Sequence, residues 1–184
     1  RKLFVHYFLR NDFFDSLKRY GRHLPVVPFI GSGGGFLVQI GQDGSLVLRC
    51  MEYTDVETML RWLQDERVLK DYEGRDQHFD RALVEEKFFS RTAQEEGMTA
   101  CVFEEGGRPV GYLQFYPADA REYGLEDADG TYAADIFIGE IDRQGKGIGV
   151  RILRLVAAYL ERETAACRLV CGPAQRKREG DPLL

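Results

Sequence analysis

The sequence predicts an α+β fold, because helical and strand patterns occupy different stretches of the chain. Four apolar residues fall at helical spacing and indicate a first helix: Val56, Met59, Leu60 and Leu63. Between residues 99 and 139 the pattern changes to short strands separated by turns. A long helix with apolar periodicity is then predicted over residues 148–163.

Five strands are expected in chain order. Their predicted bounds are 46–49, 99–103, 110–116, 132–139 and 167–171. The tetrapeptide Glu105-Gly106-Gly107-Arg108 is typical of a hairpin turn and would join the second strand to the third. Residues 117–130 are predicted to form a long acidic loop before the fourth strand.

The helix starts are predicted from capping patterns. Thr54 is expected to cap the first helix, with Glu57 three residues later completing a capping box. Residues 65–76 are polar and are predicted to form a loop. Asp80 is expected to cap another helix, whose buried side would carry the following apolar residues: Leu83, Val84, Phe88 and Phe89.

The domain organisation follows from a change in composition near residue 45. Residues 1–44 are aromatic and basic and are interpreted as an N-terminal extension of unknown role. They include the cluster Gly31-Ser32-Gly33-Gly34-Gly35, which is typical of a flexible break and lacks the Lys-Ser/Thr of a P-loop. Residues 45–172 are predicted to form the folded domain, and residues 173–184 a frayed tail.

Composition excludes several classes of protein. The 184 residues carry 25 Lys and Arg against 30 Asp and Glu, and a net charge of −5 argues against a nucleic-acid binder. No apolar run reaches the ~20 residues that span a bilayer, so no membrane partner is expected. The four cysteines show no disulfide spacing and no histidine completes a zinc site, so we expect a cytoplasmic protein without a metal.

A glycine-rich turn, Arg143-Gln144-Gly145-Lys146-Gly147-Ile148-Gly149, lies between a predicted strand and the long helix. Backbone N–H groups there would converge at the positive end of the helix, which favours an anion such as a pyrophosphate. The pattern alone is equally typical of a structural turn, and its position between strand and helix favours the functional interpretation.

With that context, Gln144-x-x-Gly147-x-Gly149 resembles the acyl-coenzyme A pyrophosphate loop of the GCN5-related N-acetyltransferases (GNAT). The order of predicted elements also resembles that family. Four further blocks are similar to the aminoglycoside 6′-N-acetyltransferase type within it. They begin at Met51-Glu52-Tyr53-Thr54-Asp55, at Trp62-Leu63, at Tyr72-Glu73-Gly74-Arg75-Asp76 and at Tyr132-x-x-Asp135.

The resemblance implies a GNAT fold with a mixed central sheet flanked by helices, acetyl-CoA as co-substrate and no metal. It also implies that the C-terminal strands and helix of that fold are missing, which would expose a sheet edge that a homodimer could cover. The implied cofactor-binding residues are Phe137, Ile138, Arg143, Gln144, Gly145, Lys146, Gly147, Ile148 and Gly149. Asp135 and Tyr132 are the implied catalytic residues, and Tyr72, Glu73, Asp76 and Asp135 the implied substrate-binding residues.

The expected reaction is acetyl transfer from acetyl-CoA to a primary amine, with Asp135 orienting the ammonium or accepting its proton. Eight acids between residues 119 and 142 would attract a small cationic amine such as an aminoglycoside, although such a run equally suits a solvated loop. Two alternatives remain open: acetylation of another small amine or a protein N-terminus, and a truncated remnant that binds coenzyme A without turnover.

Overall fold

The structure is a computed structural model that describes residues 7–9, 29–30, 36–70, 72, 78–89 and 97–171, with backbone only at 7–9, 29–30, 36–37 and 89. The described strands, in chain order, are β1 (Tyr7–Leu9), β2 (Phe29–Ile30), β3 (Phe36–Leu37), β4 (Gln39–Asp43), β5 (Leu46–Cys50), β6 (Thr99–Glu105), β7 (Arg108–Pro117), β8 (Thr131–Ile138) and β9 (Arg168–Cys171).

The helices lie between these strands. The described helices are α1 (Val56–Leu63), α2 (Glu66–Leu69), α3 (Arg81–Val84) and α4 (Ile148–Glu163). A 3₁₀ turn (Tyr53–Asp55) precedes α1, a π-helical turn (Glu85–Phe89) continues α3, and a second 3₁₀ turn (Ile141–Arg143) follows β8.

Seven strands form one sheet in the order β1-β9-β8-β7-β6-β5-β4, and β2 pairs with β3 separately. Every neighbouring pair in the large sheet is antiparallel except β8 and β9, which are parallel. The chain makes this parallel step through α4, since parallel strands require a long crossover. The predicted mixed sheet with flanking helices is therefore confirmed.

The sheet carries one apolar cluster on each face, as expected for a sheet covered by helices on both sides. On one face, α4 packs through Ile152 and Val156 against strand residues such as Leu113. On the other, α1 packs through Trp62 and Leu63 against the opposite side of β6, β7 and β8. Trp62 is fully buried in this second cluster.

The predicted start of α1 is wrong. The capping box uses Glu52 and Asp55 instead of Thr54 and Glu57, and the Asp55 carboxylate accepts the Glu52 N–H at 2.8 Å. Asp55 is buried because it also forms a bidentate ion pair with Arg49, at 2.7 and 2.8 Å. That pairing holds the turn two residues upstream of the predicted cap.

The predicted loop at 65–76 contains the one-turn helix α2. Asp65 caps it by accepting the Arg67 N–H at 2.9 Å, and the apolar residues Val68 and Leu69 are buried beneath it. Further along, the prediction that Asp80 caps a helix is confirmed, since its side chain accepts the Leu83 N–H at 2.8 Å.

The sheet recruits two strands from the segment that the sequence suggests is an extension. β4 forms a hairpin with β5, and β1 pairs antiparallel with β9 in the register Tyr7 to Cys171. Ordered structure therefore begins before residue 45. In addition, β1 pairs along one edge of β9, whereas the sequence analysis expects an exposed sheet edge that a homodimer could cover. The predictions for residues 31–35 and 173–184 lie outside the described residues.

Candidate active site

The centre of the candidate site is a gap between β8 and β9. The two strands pair only where Thr131, Tyr132 and Ala133 face residues 168–170, whereas β8 continues along β7 to Ile138. Cys171, the next residue of β9, pairs with Tyr7 on its other side. No described strand pairs with β8 on this side beyond Ala133, so its edge from Ala134 onward is open in the described part of the chain and forms the gap.

The backbone groups that face this gap follow from the pairing of β7 with β8. The Gly139 N–H donates to the Val110 carbonyl, and the Ala118 N–H donates to the Thr131 carbonyl. Because the direction of N–H and C=O alternates along a strand, the odd-numbered residues of β8 bond to β7 and the even-numbered ones face the gap. Ile136 and Ile138 therefore direct their N–H groups into the gap.

Asp135 lies beside this edge, half-buried, with its side chain on the α1 face of the sheet. Its Oδ2 accepts hydrogen bonds from Gln114 Nε2 at 2.7 Å and from the Tyr116 hydroxyl at 3.1 Å. Its Oδ1 has no hydrogen-bond partner among the residues that the structure describes. One carboxylate oxygen is thus held by the protein while the other remains able to accept a proton.

The structure does not bring Tyr132 to Asp135. Side chains alternate between the two faces of a strand, and Tyr132 packs with the α4 cluster on the face opposite Asp135. The tyrosine that reaches the carboxylate is Tyr116 on β7, which the sequence analysis missed. The only available signal for Tyr116 is its position near Asp135 on the neighbouring strand. That position is known only once the pairing of Gln114 with Asp135 is known.

Tyr72 is the one predicted acceptor-loop residue whose position is described. Its ring lies 4.7 Å from that of Phe137, centroid to centroid, so it covers the end of β8 on the Asp135 face. The Phe137 side chain is buried among this ring and those of Trp62 and Tyr112, and its backbone groups bond to β7, so Phe137 does not face the gap. Glu73 and Asp76 lie outside the described residues.

The glycine loop has the conformation that an anion-binding turn needs. Gly145 and Gly147 have φ values of 72° and 76°, which residues other than glycine rarely adopt. Gly147 is the N-cap of the 16-residue helix α4 and supplies no side-chain cap. The first N–H groups of α4 therefore lack helical partners and point at the open end of the turn, where Lys146 is exposed.

The Gln144 side chain ties this loop to the gap. Its Nε2 donates to the carbonyl of Ile138 at 3.0 Å, which is one of the groups facing the open edge. Arg143, also predicted to bind the cofactor, forms an ion pair with Glu105 at 3.1 Å and stays partly exposed. The loop and the open edge of β8 are thus continuous, as an extended phosphate-bearing ligand requires.

A buried carboxylate, Glu140, fixes the turn between β8 and the glycine loop. Its Oε1 accepts from Arg61 at 2.6 Å and from the Trp62 indole at 2.9 Å, and its Oε2 accepts from Arg108 at 2.7 Å. Burial opposes its ionisation, but the Trp62 and Arg61 hydrogen bonds and the two arginine charges outweigh burial and lower its pKa. Sequence reasoning counted Glu140 only as one of eight acids.

Several of those acids have structural roles. Besides Glu140, Asp119 accepts the backbone N–H groups of Arg121 and Glu122, and Asp127 accepts that of Asp129. The remaining carboxylates of the loop, those of Glu122, Glu126 and Asp129, are exposed. No group of three or more metal-ligating side chains occurs among the described residues, and no described helix is long and apolar enough to cross a membrane.

Comparison with known proteins identifies the family from the sequence. A family model described as "Acetyltransferase (GNAT) domain" matches residues 52–179. Aminoglycoside N(6′)-acetyltransferase type 1 of Klebsiella pneumoniae is 22% identical over 142 residues, which are 76% of this chain and 71% of that protein. The corresponding protein of Serratia marcescens is 22% identical over 162 residues, covering 86% and 77%.

Solved structures with low sequence identity share the fold. Aminoglycoside acetyltransferase AAC(6′)-Ib with coenzyme A and kanamycin has a TM-score of 0.60 at 22% identity, covering 71% of this chain and 76% of that one. The ribosomal L7/L12 α-N-protein acetyltransferase RimL has a TM-score of 0.62 at 12% identity, covering 77% and 75%. The chain therefore belongs to the GNAT family of acetyltransferases, whose members take the acetyl group from acetyl-CoA.

Proposed function

We propose that the acceptor is the 6′-amine of an aminoglycoside and that Asp135 receives it. The observation that carries the proposal is the carboxylate itself, held through Oδ2 by Gln114 and Tyr116 at the point where β8 separates from β9. A fixed anion beside an open strand edge suits an ammonium that must lose a proton before it attacks. The two curated relatives described above support the 6′-amine of an aminoglycoside as the acceptor.

The chemistry needs a neutral amine, a polarised carbonyl and a leaving thiolate. Asp135 accepts the proton of the ammonium through Oδ1, and the amine nitrogen then bonds to the thioester carbonyl carbon. The N–H groups of Ile136 and Ile138 face the gap and supply donors for the oxyanion that develops on the carbonyl oxygen. The C–S bond breaks as the carbonyl re-forms, the new amide nitrogen loses its remaining extra proton, and the departing thiolate takes up one proton, so coenzyme A leaves as the thiol.

The glycine loop holds the pyrophosphate of the donor in this proposal. N–H groups of residues 147–149 and the Lys146 ammonium provide the positive end, while the Gln144 bond to Ile138 sets the distance from loop to gap. Surface carboxylates of the loop between β7 and β8 then raise the local concentration of a polycationic acceptor. In this proposal the acetyl donor and the amine acceptor therefore bind at different parts of β8.

Turnover and binding separate the open alternatives. We would first titrate the purified chain with acetyl-CoA by calorimetry and then follow thiol release with kanamycin, with other small amines and with a peptide N-terminus. Saturable binding with thiol release only for kanamycin supports the proposal. Release with the peptide or another amine favours the other acceptor classes, and binding without release to any acceptor indicates a remnant.

Asp135→Asn tests the role of the carboxylate. It should reduce thiol release by at least a hundredfold, since general acid–base groups contribute about 10²–10⁴ in rate, and it should leave acetyl-CoA binding unchanged. Glu163→Gln is the matched control, because it removes an exposed carboxylate at the far end of α4. Undiminished turnover of Asp135→Asn would remove Asp135 from the mechanism.

A further inference from the structure

A hydrogen-bond chain enters the Asp135 carboxylate from two sides. On one side the Tyr112 hydroxyl donates to Gln114 Oε1 at 2.9 Å, and Gln114 Nε2 donates to Asp135 Oδ2 at 2.7 Å. On the other, the Tyr116 hydroxyl donates to Oδ2 at 3.1 Å and lies 3.0 Å from the Tyr123 hydroxyl. Tyr123 belongs to the acidic loop between β7 and β8, so the chain reaches from the loop into the site.

The direction of the Tyr116–Tyr123 hydrogen bond follows from the charge on Asp135. A phenol has one hydrogen, and an ionised carboxylate can only accept. The Tyr116 hydroxyl donates its only hydrogen to Asp135, so the Tyr123 hydroxyl is the donor in the hydrogen bond between the two tyrosines. Burial, together with the neighbouring tyrosine and Asp135, raises the pKa of Tyr116, and burial raises that of Tyr123, so both remain phenols.

The loop around Tyr123 is built to hold that donor in place. The Tyr123 N–H donates to the carbonyl of Asp119 at 3.3 Å, and the Leu125 N–H donates to that of Ala120 at 2.8 Å. The Asp119 side chain caps the same turn through the N–H of Arg121 at 2.7 Å. The hydroxyl of Tyr123 is thus fixed relative to β7.

We propose that Tyr123 is a positioning residue for Asp135, which extends the acceptor site proposed above. By donating to Tyr116, it fixes the Tyr116 hydroxyl as a donor to Oδ2 and so keeps Oδ1 directed at the amine. The acidic loop and the acceptor carboxylate are then coupled, because a loop that moves away withdraws Tyr123. When Asp135 takes the proton of the amine on Oδ1, Oδ2 still accepts from Tyr116, so the hydrogen-bond chain keeps its direction.

The kinetic test removes one oxygen. Tyr123→Phe should raise KM for the amine about two- to fivefold, the range of one modest hydrogen bond, and leave the Kd of acetyl-CoA unchanged. Tyr159→Phe is the matched control, because Tyr159 is also half-buried and no hydrogen bond to its hydroxyl is found in the described part of the chain. An equal change in both variants, or none in Tyr123→Phe, would overturn the proposal.

A spectroscopic test needs no turnover. With ¹³Cζ-labelled tyrosine in the full chain, Asp135→Asn should shift the resonances of Tyr116 and of Tyr123, two links away, but not that of Tyr159. A Tyr123 resonance that stays the same would refute the coupling. If the resonances shift while no amine is acetylated, the coupling stands and only the proposed acceptor fails.

Independently, two thiols face each other on the other side of the sheet. Cys50 and Cys101 are register partners on β5 and β6. The Met51 N–H donates to the Ala100 carbonyl and the Gly106 N–H donates to the Ser45 carbonyl, so these two residue pairs are hydrogen-bonded. Because hydrogen-bonded and non-hydrogen-bonded pairs alternate along an antiparallel ladder, Cys50 and Cys101 form a non-hydrogen-bonded pair. Such pairs have Cα atoms about 4.5 Å apart, within the range that a disulfide spans.

The two thiols differ in reactivity. A hydrogen bond from Cys101 lowers the pKa of Cys50 against the effect of burial, and the Arg49 charge adds to this. Burial and the partner thiol raise the pKa of Cys101. Cys50, which is half-buried, is therefore the nucleophile of the pair, and Cys101 is its resolving partner.

We also propose that a peroxide converts this pair into a cross-strand disulfide. The Cys50 thiolate attacks one peroxide oxygen to give a sulfenic acid and water, and the Cys101 sulfur displaces the sulfenic oxygen as a second water. Two thiols lose two electrons and two protons, and one hydrogen peroxide becomes two waters. The bond would connect neighbouring strands without moving their backbones.

The test uses the double variant Cys167→Ser/Cys171→Ser, whose two remaining cysteines are Cys50 and Cys101. After hydrogen peroxide and denaturation, we expect a mass lower by two hydrogens, no alkylation, and a cross-linked peptide that joins residues 50 and 101. Cys101→Ser in the same background should instead carry an alkylation-resistant oxidised Cys50. Two alkylated thiols after oxidation, or a sulfinic acid in place of the cross-link, would overturn the proposal.

Discussion

Replacing Glu140 by Gln tests whether this buried carboxylate holds the glycine loop in place. The amide keeps its carbonyl for the Trp62 indole, so that hydrogen bond survives. Arg61 and Arg108 have side chains 58% and 63% exposed, so losing each ion pair costs only about 0.5 kcal/mol. The new N–H group faces the Arg108 guanidinium and leaves a buried donor unpaired, which costs about 1 kcal/mol more.

The free energy of unfolding should therefore fall by about 2 kcal/mol at neutral pH, and Tm by about 4–8 °C. The pKa of Glu140 is lowered in the folded protein, so its contribution is present above its ordinary value of 4.5 and is lost as pH falls through the folded value. The difference between wild type and Glu140→Gln should accordingly shrink below pH 4.5.

Urea unfolding of both proteins at neutral and acidic pH measures this difference, with Glu163→Gln as the control for loss of an exposed carboxylate. Calorimetry with acetyl-CoA should also show weaker binding by Glu140→Gln, because the turn before the glycine loop loses an anchor. A stability loss that is the same at both pH values, or one that is absent, would refute the assignment of Glu140 as an ionised anchor.

Three further predictions concern other parts of the molecule. Gly147→Ala places a side chain at φ 76°, so urea unfolding should show a loss of about 1–2 kcal/mol and calorimetry weaker acetyl-CoA binding; unchanged values would exclude the left-handed cap. Arg49→Ala leaves buried Asp55 without its bidentate partner, and thermal unfolding should show a loss of about 3–5 kcal/mol, whereas Arg67→Ala at the surface should cost little. The KM for a polycationic amine should rise with ionic strength, because salt screens its attraction to the loop carboxylates, whereas the KM for an uncharged analogue should not change.

Much of the fold could be predicted from local patterns. The strands on either side of the Gly106-Gly107 turn are largely apolar runs buried on both faces, and both glycines adopt the positive φ that such a hairpin needs. β4 could not be found this way, because its composition is polar and contains Gly41. That glycine lies under α4, where a Cβ would come within 3.3 Å of Leu155, so its reason for being in a strand is tertiary.

The candidate site divides in the same manner. The glycine loop is visible in residues next to each other in sequence, and Asp135 is expected from the resemblance of the block around it to the family. Gln114 and Tyr116 reach Asp135 only through the β7–β8 register, and Glu140 acquires its partners from α1 and from the β6–β7 hairpin. Contacts between strands and helices distant in sequence leave no local pattern, so these residues required the structure.

In the proposed mechanism one strand, β8, serves both substrates, because a strand has two separate alternations. Its backbone groups alternate between β7 and the gap, so Ile136 and Ile138 offer N–H groups where a thioester would lie. Its side chains alternate between the two faces, so Asp135 meets the acceptor side while Ile136 packs under α4. A slip of one residue between β7 and β8 would reverse both alternations at once, and it would also separate Asp135 from Gln114. The Gln114–Asp135–Tyr116 bonds thus favour the same register that opens the correct backbone groups, which makes the alignment of β7 with β8 the structural basis of the proposed chemistry.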